Sequence, residues 1–115
     1  MTTIYKILRR EEWLDAQKAG TFAGSDIDRR DGYIHFSTAA QVLETARRHF
    51  REQSDLVVLE IDVARLGPGL AWEPSRGGAL FPHLYASLAP ESVLRVHPAP
   101  LGADGVPVLE FLDHP

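Results

Sequence analysis

The stretch Gly32-Tyr33-Ile34-His35-Phe36-Ser37, running straight into Thr38-Ala39-Ala40-Gln41, changes its hydrophobic period within a few residues and decides the fold class. In its first half Ile34 and Phe36 alternate with Tyr33, His35 and Ser37, the period of two expected of a strand with one face in a core. Thr38 with Gln41 three positions on forms a capping box that opens a helix. Ala39, Val42, Leu43, Ala46 and Phe50 then recur at helical spacing as one apolar stripe, with Glu44, Arg47, Arg48 and Arg51 on the remaining surface. A strand that ends at a helix start places Tyr33, His35 and Ser37 in a polar row beside the free backbone N–H groups of a helix N-terminus.

Towards the N-terminus, residues 3–8 mix β-branched and aromatic side chains and read as a strand. Arg10 to Ala19 reads as a helix, with Glu11 and Glu12 in its first turn, Lys18 near its end and Gly20 as its stop. Thr21 to Asp31 contains Gly24, Ser25 and the charged run Asp28-Arg29-Arg30-Asp31 and reads as a long loop. Such a loop is either a binding lid or a solvated excursion. Towards the C-terminus, Leu56 to Val63 begins as a continuous apolar run, expected of a strand covered on both faces, and turns polar on one side at Glu60 and Asp62. Leu70 to Glu73, Phe81 to Ala86, Ser92 to His97 and Val106 to Leu112 read as further strands. Turns fall at Leu66 to Gly69 and Gly102 to Gly105, and a loop at Pro74 to Gly78. Pro82 restricts its strand to an edge or a bulge. Two early helices and mostly late strands give an α+β class with a mixed or antiparallel sheet in a single domain, residues 1–115.

Composition bounds the function. The 115 residues are 44% hydrophobic and 24% charged, ordinary for a globular domain that can bury its own core. Absence of cysteine excludes disulfides, thiolate metal sites and a thiol nucleophile. No apolar run approaches the ~20 residues of a membrane helix, and the N-terminal residues do not read as a signal peptide, so a cytoplasmic protein is expected. Twelve basic against 16 acidic residues give a formal charge of −4, a poor balance for neutralising nucleic-acid phosphates.

The chemistry-bearing residues fall in two matching rows. His35 and Ser37 share the strand face that also carries Tyr33. His83 and Tyr85 repeat the arrangement in another strand, with Phe81 in line and Leu84 opposed. Two such rows can meet in one cleft, or each histidine can simply be satisfied where it stands. Trp72-Glu73 offers a ring to stack on a flat ligand and a carboxylate for a hydroxyl, although neighbours on a strand point to opposite faces. Arg76-Gly77-Gly78 is either an anion-accepting backbone nest or a plain hairpin loop. A metal site would need His35 and His83 with Glu73 or Asp62 at spacings that match no metal motif, so no metal is expected. A serine hydrolase would want Gly-x-Ser-x-Gly, and phosphate loops would want glycine runs; neither occurs. His49, His97 and His114 read as solvated surface residues.

At Asp31-Gly32-Tyr33-Ile34-His35-Phe36-Ser37-Thr38 with Gln41, at Trp72-Glu73 and at Phe81-Pro82-His83-Leu84-Tyr85, the sequence resembles a bacterial family catalogued as domain of unknown function 952. The early Trp13 and the strand ending Glu60-Ile61-Asp62 fit the same order, so the resemblance runs from about Ile4 to Pro98. It implies a fold similar to that of ADP-ribosyltransferases, a split α+β domain with a dinucleotide cleft between two small sheets. Activity does not follow from fold alone. The resemblance implies NAD as substrate. His35, Ser37, Trp72, His83 and Tyr85 would bind it, and Glu73, with His35, would act on the ribose and stabilise a cationic ribosyl centre. Where many relatives carry a histidine on the first strand this chain has Lys6, and it lacks the Glu-x-Glu or Gln-x-Glu pair of many arginine-modifying transferases. The first expectation is an ADP-ribosyltransferase-like domain that binds NAD or a related nucleotide in a cleft lined by His35, Ser37, His83 and Tyr85, its active form transferring or hydrolysing ADP-ribose. Its rival is a non-catalytic module for a small anionic metabolite or nucleotide, and a third reading is a relic of the fold that serves protein contact. Any dinucleotide binder of this net charge needs a locally positive cleft, for which Lys6, Arg29, Arg30 and Arg76 are the candidates.

Overall fold

Leu56-Val57-Val58-Leu59 has no polar face because its strand lies at the centre of a sheet whose two faces are both covered. The computed structural model describes residues 2–113, so the reading of His114 lies outside the described residues, as do the side chains of Arg76 and Asp113. The first sheet has the order β1 (Thr3–Arg9), β3 (Leu56–Asp62), β6 (Val93–Ala99), with antiparallel pairing throughout. Val57, Leu59 and Ile61 on one face pack with Ile4, Leu8, Trp13, Phe22, Ile34 and Leu84. Leu56 and Val58 on the other pack with Tyr5, Ile7, Val42, Ala46 and Leu109. Helix α1 (Arg10–Ala19) therefore covers the first face and α3 (Val42–His49) the second. The second sheet has the order β2 (Ile34–His35), β5 (Leu80–Leu84), β4 (Leu70–Pro74), again antiparallel.

The α+β class stands, and the sheet is split in two, with every pair antiparallel rather than mixed. The backbones of the two sheets are joined at a bridge where the free edge of β1 exchanges both hydrogen bonds between Tyr5 and Ser37, at 2.8 and 2.9 Å. Ile34 and Leu84 of the second sheet pack in the core on one face of the first, and the cleft described below is lined by residues of both sheets.

Several expectations are corrected. The supposed loop Thr21 to Asp31 contains a third helix, α2 (Asp26–Asp31), opened by a capping box in which Ser25 and Asp28 cap each other's backbone and closed by Gly32 at φ 88°. Pro82 sits in the central strand of its sheet, not at an edge. It is tolerated because its carbonyl still accepts from Phe36 N (3.0 Å), and the donation it cannot make falls where β2 ends. That same shortfall reduces the expected strand Gly32 to Ser37 to a two-residue ladder. Val106 to Leu112 is not a strand: a single bridge, Leu101 to Pro107, leads into a 3-10 turn at Glu110–Asp113. Pro107 cannot donate to a ladder, and the buried Val106 and Leu109 hold the segment as packing rather than pairing. His97 is not a solvated surface residue; it lies 2.8 Å from Glu60 and stacks on Phe111 at 4.2 Å. Among the described residues no helix is long and apolar enough to cross a membrane.

Candidate functional site

His35 and His83 are direct partners across β2 and β5, so strand alternation points both imidazoles from the same face. Phe36 N bonds to the Pro82 carbonyl next along, which makes His35–His83 the closer, non-hydrogen-bonded kind of antiparallel pair. Their rings meet edge to face at 5.6 Å. Tyr33 lies across both, stacked on His83 at 4.1 Å and tilted against His35 at 4.6 Å. The two rows read from the sequence thus form one surface. It borders a cleft of about 640 Å³ bounded by Tyr5, Lys6 and Ile7 of the β1 edge, by Arg30 and Asp31 of α2, and by Phe50 after α3. That volume falls within the range of small-ligand and cofactor sites.

Each histidine is held through Nδ1 by a carboxylate. On the first, Asp28 Oδ1 lies 2.6 Å from His35 Nδ1 and also accepts from His35 N at 3.1 Å. The other oxygen of Asp28 accepts from Lys6 Nζ at 2.7 Å and from Ser25 N at 2.9 Å. Asp28 is 1% exposed. Burial pushes its carboxyl up, but the bonds from His35 and Lys6, the Lys6 charge and the Ser25 N–H outweigh it and hold the pKa down to about 2. Burial lowers the Lys6 ammonium against the opposing pull of Asp28. Lys6 sits on the apolar face of β1 between Ile4 and Leu8, so its charge is spent on Asp28 rather than offered to a ligand.

The second histidine has a lighter support. Glu73 Oε1 lies 2.7 Å from His83 Nδ1 and accepts from the Tyr85 hydroxyl at 2.7 Å. These bonds, that from Tyr85 foremost, hold the Glu73 carboxyl below its usual range, and the same carboxylate pushes the Tyr85 phenol up to about 12. Tyr33 is raised as well, chiefly by burial. A carboxylate on Nδ1 fixes the orientation of the His83 ring.

His35, Ser37 and His83 border the cleft, whereas Tyr85 and Glu73 do not line it: Tyr85 lies beside Tyr33 at 5.2 Å, and Glu73 joins Tyr85 to His83. Ser37 lines the cleft, but its hydroxyl is 2.9 Å from Thr45 Oγ1 and so is tied to α3. Trp72 does not join them. It pairs with Pro82 while Glu73 pairs with Phe81, so alternation sends Trp72 to the opposite face, where it is 41% exposed. Of the candidate cations, Arg30 lines the cleft, whereas Arg29 turns to Asp26 and the Gly24 carbonyl. Sequence reasoning named Lys6 as a cleft cation but missed its pairing with Asp28, and it missed Asp28 and Asp31 as members of the site. The signal for Asp28 was present in Ser25-x-x-Asp28, a capping motif that announces the short helix carrying both aspartates. Among the described residues no group of three metal-ligating side chains is assembled.

Comparison with known proteins agrees with this architecture. The crystal structure of protein CC0527 from Caulobacter crescentus is 50% identical and superposes with a TM-score of 0.94 over 97% of this chain and 99% of that one. The solution NMR structure of CC0527 gives a TM-score of 0.86 at 50% identity, covering all of this chain and 97% of that one. No curated protein matches the chain. The model of a family described as protein of unknown function (DUF952) matches residues 7–96, a span that holds the split between the sheets, α2 and both histidine rows, and the chain belongs to that family.

Proposed function

We propose that the cleft over the His35–His83 pair binds a small anionic ligand of nucleotide size, NAD or a relative of it. The observation that carries this reading is the pairing itself: two imidazoles directly opposed across a ladder, each fixed by its own carboxylate, beside a cleft of about 640 Å³. Fixed donors beside a rigid aromatic offer a flat ring a surface and an anion a partner without further ordering cost. The cations that line the cleft besides Lys6 are Arg9 and Arg30, exposed guanidinium groups each paired with nearby carboxylates, Arg9 with Glu11 and Glu12 and Arg30 with Asp31. Binding without catalysis is the form this geometry favours most directly.

A catalytic reading is favoured by one further observation, that Glu73 is held ionised by Tyr85 and His83 while its side chain remains 37% exposed. Departure of nicotinamide from NAD leaves a cationic ribosyl centre, and an ionised carboxylate within reach would stabilise it, with water or another nucleophile completing transfer or hydrolysis of ADP-ribose. In that role Glu73 also orients His83, and His35 holds the ligand. Calorimetric titration with NAD, ADP-ribose and nicotinamide, run beside an assay for nicotinamide release, tests both readings. Millimolar or tighter binding is expected. No heat from any of the three ligands overturns the nucleotide reading, and binding without release leaves the non-catalytic form.

A further inference from the structure

Asp28 alone is enough to orient His35, yet a second carboxylate occupies the other ring nitrogen. Asp31 Oδ2 lies 3.0 Å from His35 Nε2, and Asp31 Oδ1 accepts from Arg30 Nε, also at 3.0 Å. His35 thus has a carboxylate oxygen close to each ring nitrogen, Asp28 hydrogen-bonded at Nδ1 and Asp31 within 3.0 Å of Nε2. Asp31 therefore lies between the Arg30 guanidinium and the His35 ring, one oxygen to each, and all three line the cleft. It does so from the last residue of α2, the end of a helix where a carboxylate is locally disfavoured. All three side chains are partly exposed, at 27% for Asp31, 33% for His35 and 70% for Arg30, so nothing buried locks the contact.

We propose that Asp31 is a built-in stand-in for the oxyanion of the ligand: its carboxylate occupies a seat between Arg30 and His35 that a phosphate or carboxylate group of the ligand takes over. The seat fits an oxyanion that presents two oxygens, one to the Arg30 guanidinium and one to the His35 ring. The inference rests on the reading that the cleft takes an anionic ligand, and it names which donors meet the anion and what must leave first. Displacement frees the aspartate to solvent at the helix end, which costs little because its hydration replaces exposed contacts. The Arg30 bond keeps the Asp31 carboxyl below its usual range, so it competes as a full negative charge.

The test compares wild type, Asp31→Asn and Asp31→Ala with Glu91→Gln, which removes one negative charge at an exposed position that does not line the cleft. Inorganic pyrophosphate and succinate are titrated calorimetrically at one ionic strength, and the His35 ring nitrogens are followed by NMR. Freeing a charge-assisted seat predicts about tenfold tighter binding of at least one anion in both Asp31 variants. Glu91→Gln stays within about twofold, and the anion moves the His35 Nε2 resonance. Equal gains in the Glu91 and Asp31 variants, weaker binding after loss of Asp31, or no binding of either anion overturns the proposal. A gain for succinate alone assigns the seat to a carboxylate, and a gain for pyrophosphate assigns it to a phosphate. Tight pyrophosphate binding with no response to ADP-ribose supports the seat and rejects the nucleotide.

Discussion

Asp28 is the residue on which the site and the fold depend together, and replacing it by alanine is the most informative single perturbation of this chain. The substitution removes the acceptor of four donors: Lys6 Nζ, His35 Nδ1, His35 N and Ser25 N. Lys6, 5% exposed, is left as a buried charge without its partner. Breaking a buried ion pair from one side costs about 3–5 kcal/mol. The titration of Asp28 gives an independent lower figure: a pKa of about 2 against an ordinary 3.8 corresponds to about 2.4 kcal/mol of preference for the ionised form in the folded state. Truncation costs more because it also orphans Lys6. At about 4 °C per kcal/mol for a chain of this size, thermal unfolding should fall by about 12–20 °C. Combining Lys6→Met with Asp28→Ala removes the stranded ammonium and should recover about 1–3 kcal/mol of the loss. The sign with pH is fixed: because folding lowers the Asp28 pKa, its contribution is full above about pH 4 and is lost as pH falls towards 2. Asp28→Asn should flatten that acid limb. A loss below ~1 kcal/mol for Asp28→Ala in urea unfolding, or a double variant no more stable than the single, would refute the reasoning.

Three further outcomes follow from the same geometry. Spectrophotometric titration of the three tyrosines should show one phenol near 12, and Glu73→Ala should bring it back towards 10, since the carboxylate that accepts the Tyr85 hydrogen bond and repels its ionised form is gone. Gly24→Ala should cost about 2–4 kcal/mol in denaturant unfolding, because the residue sits at φ 112° and its new Cβ would lie 2.7 Å from Asp28 Cβ. Phe50→Ala should cost about 2 kcal/mol rather than the ~3–5 of a fully enclosed aromatic, because Phe50 is only half-buried beside Val42 and Ala46.

The parts of the fold that were legible in the sequence are those whose periodicity is set by a single core. Arg10–Ala19 folds as the helix its charge gradient and Gly20 announce, and the apolar run from Leu56 is the central strand it resembles. Val42 and Ala46 are buried with Leu56 and Val58, as the helical stripe requires, although Ala39 stays exposed ahead of the helix. The meeting of His35 and His83 was legible because alternation fixes a side chain's face once its strand is recognised. α2 was missed because six residues with five charges carry no apolar stripe, and only the Ser25–Asp28 box marks it. The Lys6–Asp28 pair joins residues 22 apart in sequence, a separation at which charge pattern carries no information about contact. Pro82 misled because a missing donor is harmless wherever the neighbouring ladder ends anyway.

The central claim, that the cleft over the histidine pair is a nucleotide site, is tested most directly by adding ADP-ribose while following the histidine side-chain resonances by NMR. His35 and His83 should shift together and saturate with one common dissociation constant, while His97, packed against Phe111 and Glu60 on β6 at the opposite edge of the first sheet from β1, should stay where it is. Shifts confined to His97, or resonances of His35 and His83 that stay unmoved at millimolar ADP-ribose, would contradict the account.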